Sequence, residues 1–326
     1  MQYNNALKPI ENPLPILADH PRYIEPLQCE RRFLAPPVVN EKDVDLCVRA
    51  WRYWYNARGI IEMENRLEAK ATAIIMVHPW GIDDNAGLKT PEPAGVAFFC
   101  ARDKNNIARE HIREVVNPFL RRLRPDVALV GYSLPGKEDA IRGLMYASIV
   151  TPPEKLDEAK GRALLKERLR QHSFRGEPLV ASLNLDTNGP VKSYFAQTSS
   201  TDAGARYSGA GFWDLPMPLC RDLERVPADL VFYDAEGYPK VRDFLKSRGI
   251  RHILLIGYCT DMCVMRTTCG YQNFSQDFNV FIVGDATLAT FPGSVTPRFA
   301  TQAALANAAL TQLITQANWV RLEKAL

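Results

Sequence analysis

The residues with the clearest chemical potential surround Cys263, which follows an apolar segment, His252–Ile256, and a glycine, Gly257. The apolar segment predicts a buried parallel strand, and the pattern after it predicts a helix over Met262–Phe274. Cys263 would then lie in the first turn of that helix, where the dipole and free N–H groups favour a thiolate and could hold an oxyanion. Free cysteine is also commonly a small buried apolar residue, so physical reasoning alone leaves a nucleophile and a core position both open.

Further residues of this stretch fall at fixed spacing around the cysteine. They fit the pattern G-x-x-T-D-x-C-V-x-x-T, and Asp285-Ala286 follows the next apolar segment. In these positions the chain resembles the isochorismatase-like cysteine hydrolase family, which includes nicotinamidase and N-carbamoylsarcosine amidase. The matching residues are Gly257, Thr260, Asp261, Cys263, Val264 and Thr267.

This resemblance implies a reaction and a site. Family members are mostly amidases, so it implies hydrolysis of an amide or ureido C–N bond in a small-molecule substrate, through a thioacyl intermediate on Cys263. It implies a six-stranded parallel sheet, and we expect no cofactor. It also implies a cis peptide bond between Tyr258 and Cys259, and an oxyanion hole made by the backbone N–H groups of Cys259 and Cys263.

The usual partners of that nucleophile are absent from their expected places. In the family an aspartate ends the first strand and a lysine follows the third, whereas here His78 follows Ala73–Val77, and Tyr233 and Asp234 stand where the lysine would be. Histidine titrates near neutral pH, so one hypothesis is a hydrolase that uses a Cys263–His78 pair. The alternative is a catalytically inactive isochorismatase-like protein with a binding or structural role.

Several other residues are candidates to complete such a site. Tyr233 is a candidate to orient the imidazole, as are Asp83 and Asp84, which are also candidates to bind substrate. Trp80 could wall a pocket, although an aromatic residue at a strand end more often only packs. Trp213 could contact a planar substrate. No HExxH or CxxC motif occurs, so we expect no metal.

The pattern from residue 71 onward is typical of an α/β protein. Short apolar segments alternate with helical periodicity, which predicts a doubly wound, mainly parallel sheet of about six strands with helices. The predicted strands are Ala73–Val77, Val127–Tyr132, Leu230–Tyr233, His252–Ile256 and Val280–Val283. The predicted helices are Ile107–Leu123, Pro153–Gln171, Val241–Arg248, Met262–Phe274 and Pro297–Ile314.

The chain divides into two parts by composition. Residues 1–70 are predicted to form a proline-rich extended arm on a surface and a β-hairpin, with strands at Asp45–Tyr55 and Ile60–Met63. Residues 71–326 are predicted to form the hydrolase domain. Within it, residues 135–227 interrupt the alternation and suggest a lid or a subunit-contact insertion, or only a surface loop. The arm, the insertion and the family resemblance favour a homo-oligomer.

Composition narrows the possible partners and locations. A net charge of +3 on 326 residues gives no electrostatic case for nucleic acid. No apolar run is long enough for a transmembrane helix. The first residues lack the pattern of a secretory signal, although the sequence is also compatible with an export signal that has been removed. The seven cysteines show no regular spacing. We therefore expect a cytoplasmic protein with reduced thiols.

Overall fold

The computed structural model describes residues 2–54, 56–81, 102–171, 188, 215–260, 262–289 and 316–322. The predicted helix Pro297–Ile314 and part of the predicted insertion lie outside these ranges. The strands are β1 (Lys8–Pro9), β2 (Arg32–Leu34), β3 (Leu46–Trp54), β4 (Gly59–Leu67), β5 (Thr72–Val77), β6 (Leu129–Leu134), β7 (Ala147–Ser148), β8 (Leu230–Tyr233), β9 (His252–Tyr258), β10 (Asn279–Leu288) and β11 (Gln316–Leu322).

All these strands belong to a single sheet, in the order β1-β2-β4-β3-β11-β10-β9-β5-β6-β8-β7. The strands from β11 to β8 are parallel to one another, and the two-residue β7 extends them. The predicted α/β architecture with a mainly parallel sheet of about six strands is therefore confirmed. Its central strands β5 and β9 are buried along their whole length, as continuous apolar runs predict.

The predicted hairpin is also confirmed, because β3 and β4 pair antiparallel from Leu46↔Leu67 to Trp54↔Gly59. The hairpin continues the large sheet, since β3 pairs antiparallel with β11. The arm before it does not simply lie on a surface. Ile16, Leu17 and Ile24 are at most 2% exposed and belong to the main core. Their burial follows from their apolar side chains.

Helices and short helical turns fill the connections. The predicted helix Ile107–Leu123 is present as α1 (Arg102–His111), a π-helical turn (Ile112–Val116) and α2 (Asn117–Leu123). Between β6 and β8 lie α3 (Arg142–Met145), a 3₁₀ turn (Pro153–Lys155) and α4 (Glu158–Gln171). After β8 come a 3₁₀ turn (Asp234–Glu236), α5 (Tyr238–Ser247), α6 (Cys263–Arg266) and α7 (Tyr271–Phe274), and a further 3₁₀ turn (Ala69–Ala71) precedes β5.

The predicted helix Met262–Phe274 is wrong, because it is divided into α6 and α7. Thr267 is extended (φ −116°, ψ −177°) and ends α6. Gly270 then lets two backbone segments approach closely, since a Cβ there would lie 2.6 Å from the Thr267 nitrogen. Asn273 Nδ2 donates to the Thr267 carbonyl at 2.9 Å and fixes this break.

Gly257 is the position of the sheet where an added side chain should cost most. It adopts φ +112°, and a Cβ there would lie 2.3 Å from the Val77 carbonyl oxygen. We therefore expect Gly257→Ala to lower the free energy of unfolding by roughly 3 kcal/mol, through overpacking and backbone strain. Gly249→Ala is the matched control, because Gly249 also has positive φ but a Cβ there would have no other atom within 4 Å. Equal losses for both variants in urea denaturation would contradict the expectation.

Candidate active site

The candidate site lies at the edge of the parallel sheet where strands β5, β8 and β9 end. His78 directly follows β5, Asp234 directly follows β8, and Cys263 lies a short turn beyond β9. Strand β5 pairs with both β9 and β6, and β6 pairs with β8. The carboxyl ends of these strands therefore share one edge, which is the usual ligand-binding edge of an open α/β sheet.

His78 is held in a defined orientation at this edge. It has a left-handed backbone (φ 48°), and its N–H donates to the Ser133 hydroxyl at 3.3 Å. The residue is 8% exposed, and imidazole Nε2 lies 2.8 Å from Asp234 Oδ2. Asp234 is fixed in turn, because its carbonyl accepts a hydrogen bond from the Thr268 hydroxyl at 2.8 Å. This bond ties the turn after β8 to the segment that follows α6.

The protonation of His78 depends on two neighbours. Burial by itself lowers the pKa of His78, but the hydrogen bond with Asp234 and the electrostatic interactions with Asp234 and Cys263 outweigh burial and raise that pKa to about 10. At neutral pH the imidazole is therefore cationic. A cationic imidazole beside a cysteine is the arrangement that favours a reactive thiolate.

Cys263 occupies a tight elbow after β9. The Tyr258–Cys259 peptide bond is cis. The Cys259 carbonyl accepts hydrogen bonds from the N–H groups of Met262 at 3.0 Å and Val264 at 3.2 Å. Cys263 is partly exposed and is the first residue of α6. Because α6 has only four residues, its dipole is smaller than the sequence suggested, and the positive charge near the thiol comes from His78 instead.

Tyr233 was predicted to orient His78, but the structure does not bring the two together. Tyr233 is fully buried, and its hydroxyl has no hydrogen-bond partner among the described residues. Its ring lies under the Arg142 guanidinium, 4.8 Å from the ring centroid. Successive residues of a strand point to opposite faces, so the core-facing Tyr233 leaves the next residue, Asp234, to face the site. Asp234 is the partner that sequence reasoning missed.

Of the other predicted site residues, the structure describes Trp80 alone. Trp80 is 9% exposed and forms an antiparallel bridge with Leu219, so it packs against the segment before β8. The Cys220 N–H reinforces this contact by donating to the Pro79 carbonyl at 2.7 Å. Asp83, Asp84, Trp213 and Asp261 lie outside the described residues.

Two general features bear on cofactors and membranes. Within the described ranges, no three His, Cys, Asp or Glu side chains are grouped as metal ligands. In the same ranges, no helix combines the length and apolar character needed to cross a bilayer.

The thiol of Cys263 should react before the other described cysteines. Cys220 and Cys269 are buried, and burial raises the pKa of Cys220 to about 11 and that of Cys269 well above its ordinary value. Cys29 is partly exposed but has a backbone carbonyl, that of Arg31, as its partner. We expect iodoacetamide to alkylate Cys263 first at neutral pH, and His78→Gln to slow this alkylation about tenfold. Peptide mapping by mass spectrometry would contradict this if Cys29 or Cys47, the other partly exposed cysteines among the described residues, were modified first.

Comparison with known proteins finds a family whose model matches the C-terminal part of the described sheet. Residues 219–317 match the model of the Isochorismatase domain family. No curated protein matches the chain. The predicted resemblance to the isochorismatase-like hydrolases is confirmed by the family match, over the part that carries Asp234 and Cys263. Residues 219–317 thus resemble the isochorismatase domain family, whose members are hydrolases.

Solved structures similar to this chain carry related descriptions. A cysteine hydrolase from Pseudomonas syringae pv. phaseolicola 1448A is 14% identical over 75% of this chain and 87% of its own, with a TM-score of 0.38. An isochorismatase family protein from Desulfovibrio vulgaris subsp. vulgaris str. Hildenborough is 12% identical over 76% and 93%, with a TM-score of 0.37. Nicotinamidase from Bacillus subtilis is 13% identical over 76% and 99%, with a TM-score of 0.32. Such low values indicate neither substrate nor mechanism.

Proposed function

We propose that the chain is a cysteine-dependent hydrolase that cleaves the C–N bond of a small amide or ureido compound. The observation that supports this most directly is that the buried imidazole of His78 lies 2.8 Å from Asp234 Oδ2, and that its interaction with Cys263 also raises its pKa. Nucleophile, proton carrier and orienting carboxylate are the parts of a cysteine hydrolase triad. In this chain the histidine stands at the family's aspartate position and the aspartate stands at its lysine position.

The proposed reaction has two halves. The Cys263 thiolate attacks the substrate carbonyl carbon, and the backbone N–H groups of Cys259 and Cys263 stabilise the oxyanion. His78 then donates its proton to the leaving nitrogen as the C–N bond breaks, which leaves a thioacyl intermediate. Water then attacks the carbonyl carbon of that thioester while His78 accepts a proton from the water. The C–S bond breaks, which releases the acid and regenerates the Cys263 thiolate. Asp234 keeps the imidazole oriented and stabilises its charge throughout.

The alternative is a binding or structural protein that keeps the fold without the reaction. It is favoured by the absence of a lysine in hydrogen-bond contact with His78, Asp234 or Cys263 among the described residues. A loss of catalysis would make the His78–Asp234 pair a structural ion pair at a strand end.

Ammonia release from a panel of primary amides and ureido compounds tests the proposal. We expect the wild-type chain to hydrolyse at least one of them, and acid quenching during turnover to leave an acyl adduct on Cys263 that intact-protein mass spectrometry detects. Absence of both hydrolysis and adduct over the whole panel would favour the non-catalytic alternative.

A further inference from the structure

A second histidine, His111, forms a buried network on the other side of the elbow. It lies at the end of α1 and is fully buried. Its Nδ1 is 2.8 Å from the Tyr258 hydroxyl, and its Nε2 is 2.7 Å from the Asp285 carbonyl oxygen. Both nitrogens are therefore engaged, and the ring joins α1 to the last residue of β9 and to β10.

The acceptors define which nitrogen carries the proton. A carbonyl oxygen can only accept, so Nε2 carries the hydrogen that is donated to Asp285. In the neutral ring Nδ1 is then an acceptor, and the Tyr258 O–H donates to it. Burial lowers the pKa of His111 to about 4, which is consistent with the neutral form.

This network ends one residue before the backbone of the candidate oxyanion hole. Tyr258 is the last residue of β9, and the carbonyl of the next residue, Cys259, accepts from the N–H groups that shape the turn into Cys263. The arm supports the network from outside, because the Tyr23 ring packs edge-on against His111 at 5.0 Å. The Tyr23 hydroxyl also donates to Glu114, which lies on the helical segment that follows α1.

We propose that His111 and Tyr258 are positioning residues, which hold the Cys259–Cys263 elbow at the correct distance from His78. This inference rests on the proposed function, since the geometry that it protects is the Cys263–His78 contact. It assigns a role to a pair of residues that do not touch the reacting atoms. It also explains why a polar pair occupies a fully buried place where apolar side chains would pack more simply.

The variant Tyr258→Phe tests the inference with little change of volume. It removes only the hydroxyl, so we expect alkylation of Cys263 by iodoacetamide at neutral pH to slow about tenfold, as displaced reacting groups lose rate steeply. Tyr132→Phe is the matched control, because Tyr132 is also fully buried and its hydroxyl donates at 2.8 Å to Asp229. It should lose comparable stability in urea denaturation but keep the wild-type alkylation rate.

A second pair of variants separates positioning from general stability. His111→Gln keeps a neutral donor and an acceptor and should retain a rate close to wild type, whereas His111→Leu keeps neither and should react as slowly as Tyr258→Phe. The positioning inference is overturned if Tyr258→Phe and His111→Leu both alkylate at the wild-type rate. If instead Cys263 is unreactive in the wild-type chain, the proposed function fails first. These two outcomes are distinguishable in one experiment, and the contrast between His111→Leu and His111→Gln keeps the test valid if Tyr258→Phe does not fold.

Discussion

Replacing Cys263 by alanine is expected to lower kcat/KM for the best amide of the panel on the order of 10⁴-fold or more. The physical reason is that the attacking atom is lost, so only substrate binding and the oxyanion hole can still accelerate hydrolysis. The free energy of unfolding should change little, because Cys263 is partly exposed. The measurement is steady-state ammonia release together with urea denaturation of the same preparations.

Cys29→Ala is the control for that experiment, since Cys29 is also a partly exposed free thiol but lies in the N-terminal arm. It should keep wild-type kinetics. Undiminished activity in Cys263→Ala would end the nucleophile assignment, whereas a loss shared by both variants would indicate that neither thiol acts directly.

Replacing Asp234 by asparagine is the second change with a large expected effect. The amide cannot stabilise a cationic imidazole, and it permits the wrong tautomer, so we expect kcat to fall by about 10² to 10⁴-fold. The expected pH dependence of activity follows from the raised pKa of His78, which is about 10 in the folded chain. Cationic His78 should persist in the wild type until the pH rises through about 10, and activity should fall above that value. In Asp234→Asn this alkaline limb should move to lower pH.

The raised pKa of His78 also has a consequence for the stability of the fold. Because the folded-state pKa of His78 is raised, its stabilising contribution is complete below the ordinary histidine value of about 6.5 and is lost as pH rises through about 10. Asp234→Asn should remove most of this dependence of stability on pH.

Asp243→Asn is the control, as Asp243 pairs with Arg242 on the exposed side of α5. An unchanged pH–rate profile in Asp234→Asn would contradict the assigned role of Asp234.

The central fold could be predicted from the sequence because its signals are local. Strands β5 and β9 are continuous apolar runs, and such runs bounded by polar residues predict buried parallel strands. Gly249, which follows α5 with φ 76°, is likewise a local helix-end signal. Cys263, the proposed nucleophile, was singled out by a motif of residue types at fixed spacing.

The remaining parts of the site depend on contacts between distant segments. The contact of Asp234 with His78 is visible only when the structure brings the end of β8 near the end of β5, which sequence spacing does not give. The break between α6 and α7 depends on a close backbone approach at Gly270. Strand β11 was not predicted either, because its pairing with β3 and β10 joins residues far apart in the sequence.

That position of β11 constrains the order in which the protein can be assembled during synthesis. The hairpin β3–β4 forms from neighbouring residues, but the other edge of β3 pairs with β11, as in Trp51↔Gln316. An emerging chain therefore carries an open β3 edge until nearly all of the parallel sheet has been made, and unpaired edges invite association with other chains. Long-range pairing of this kind also folds slowly. The protein should depend on protection of that edge while it is being translated.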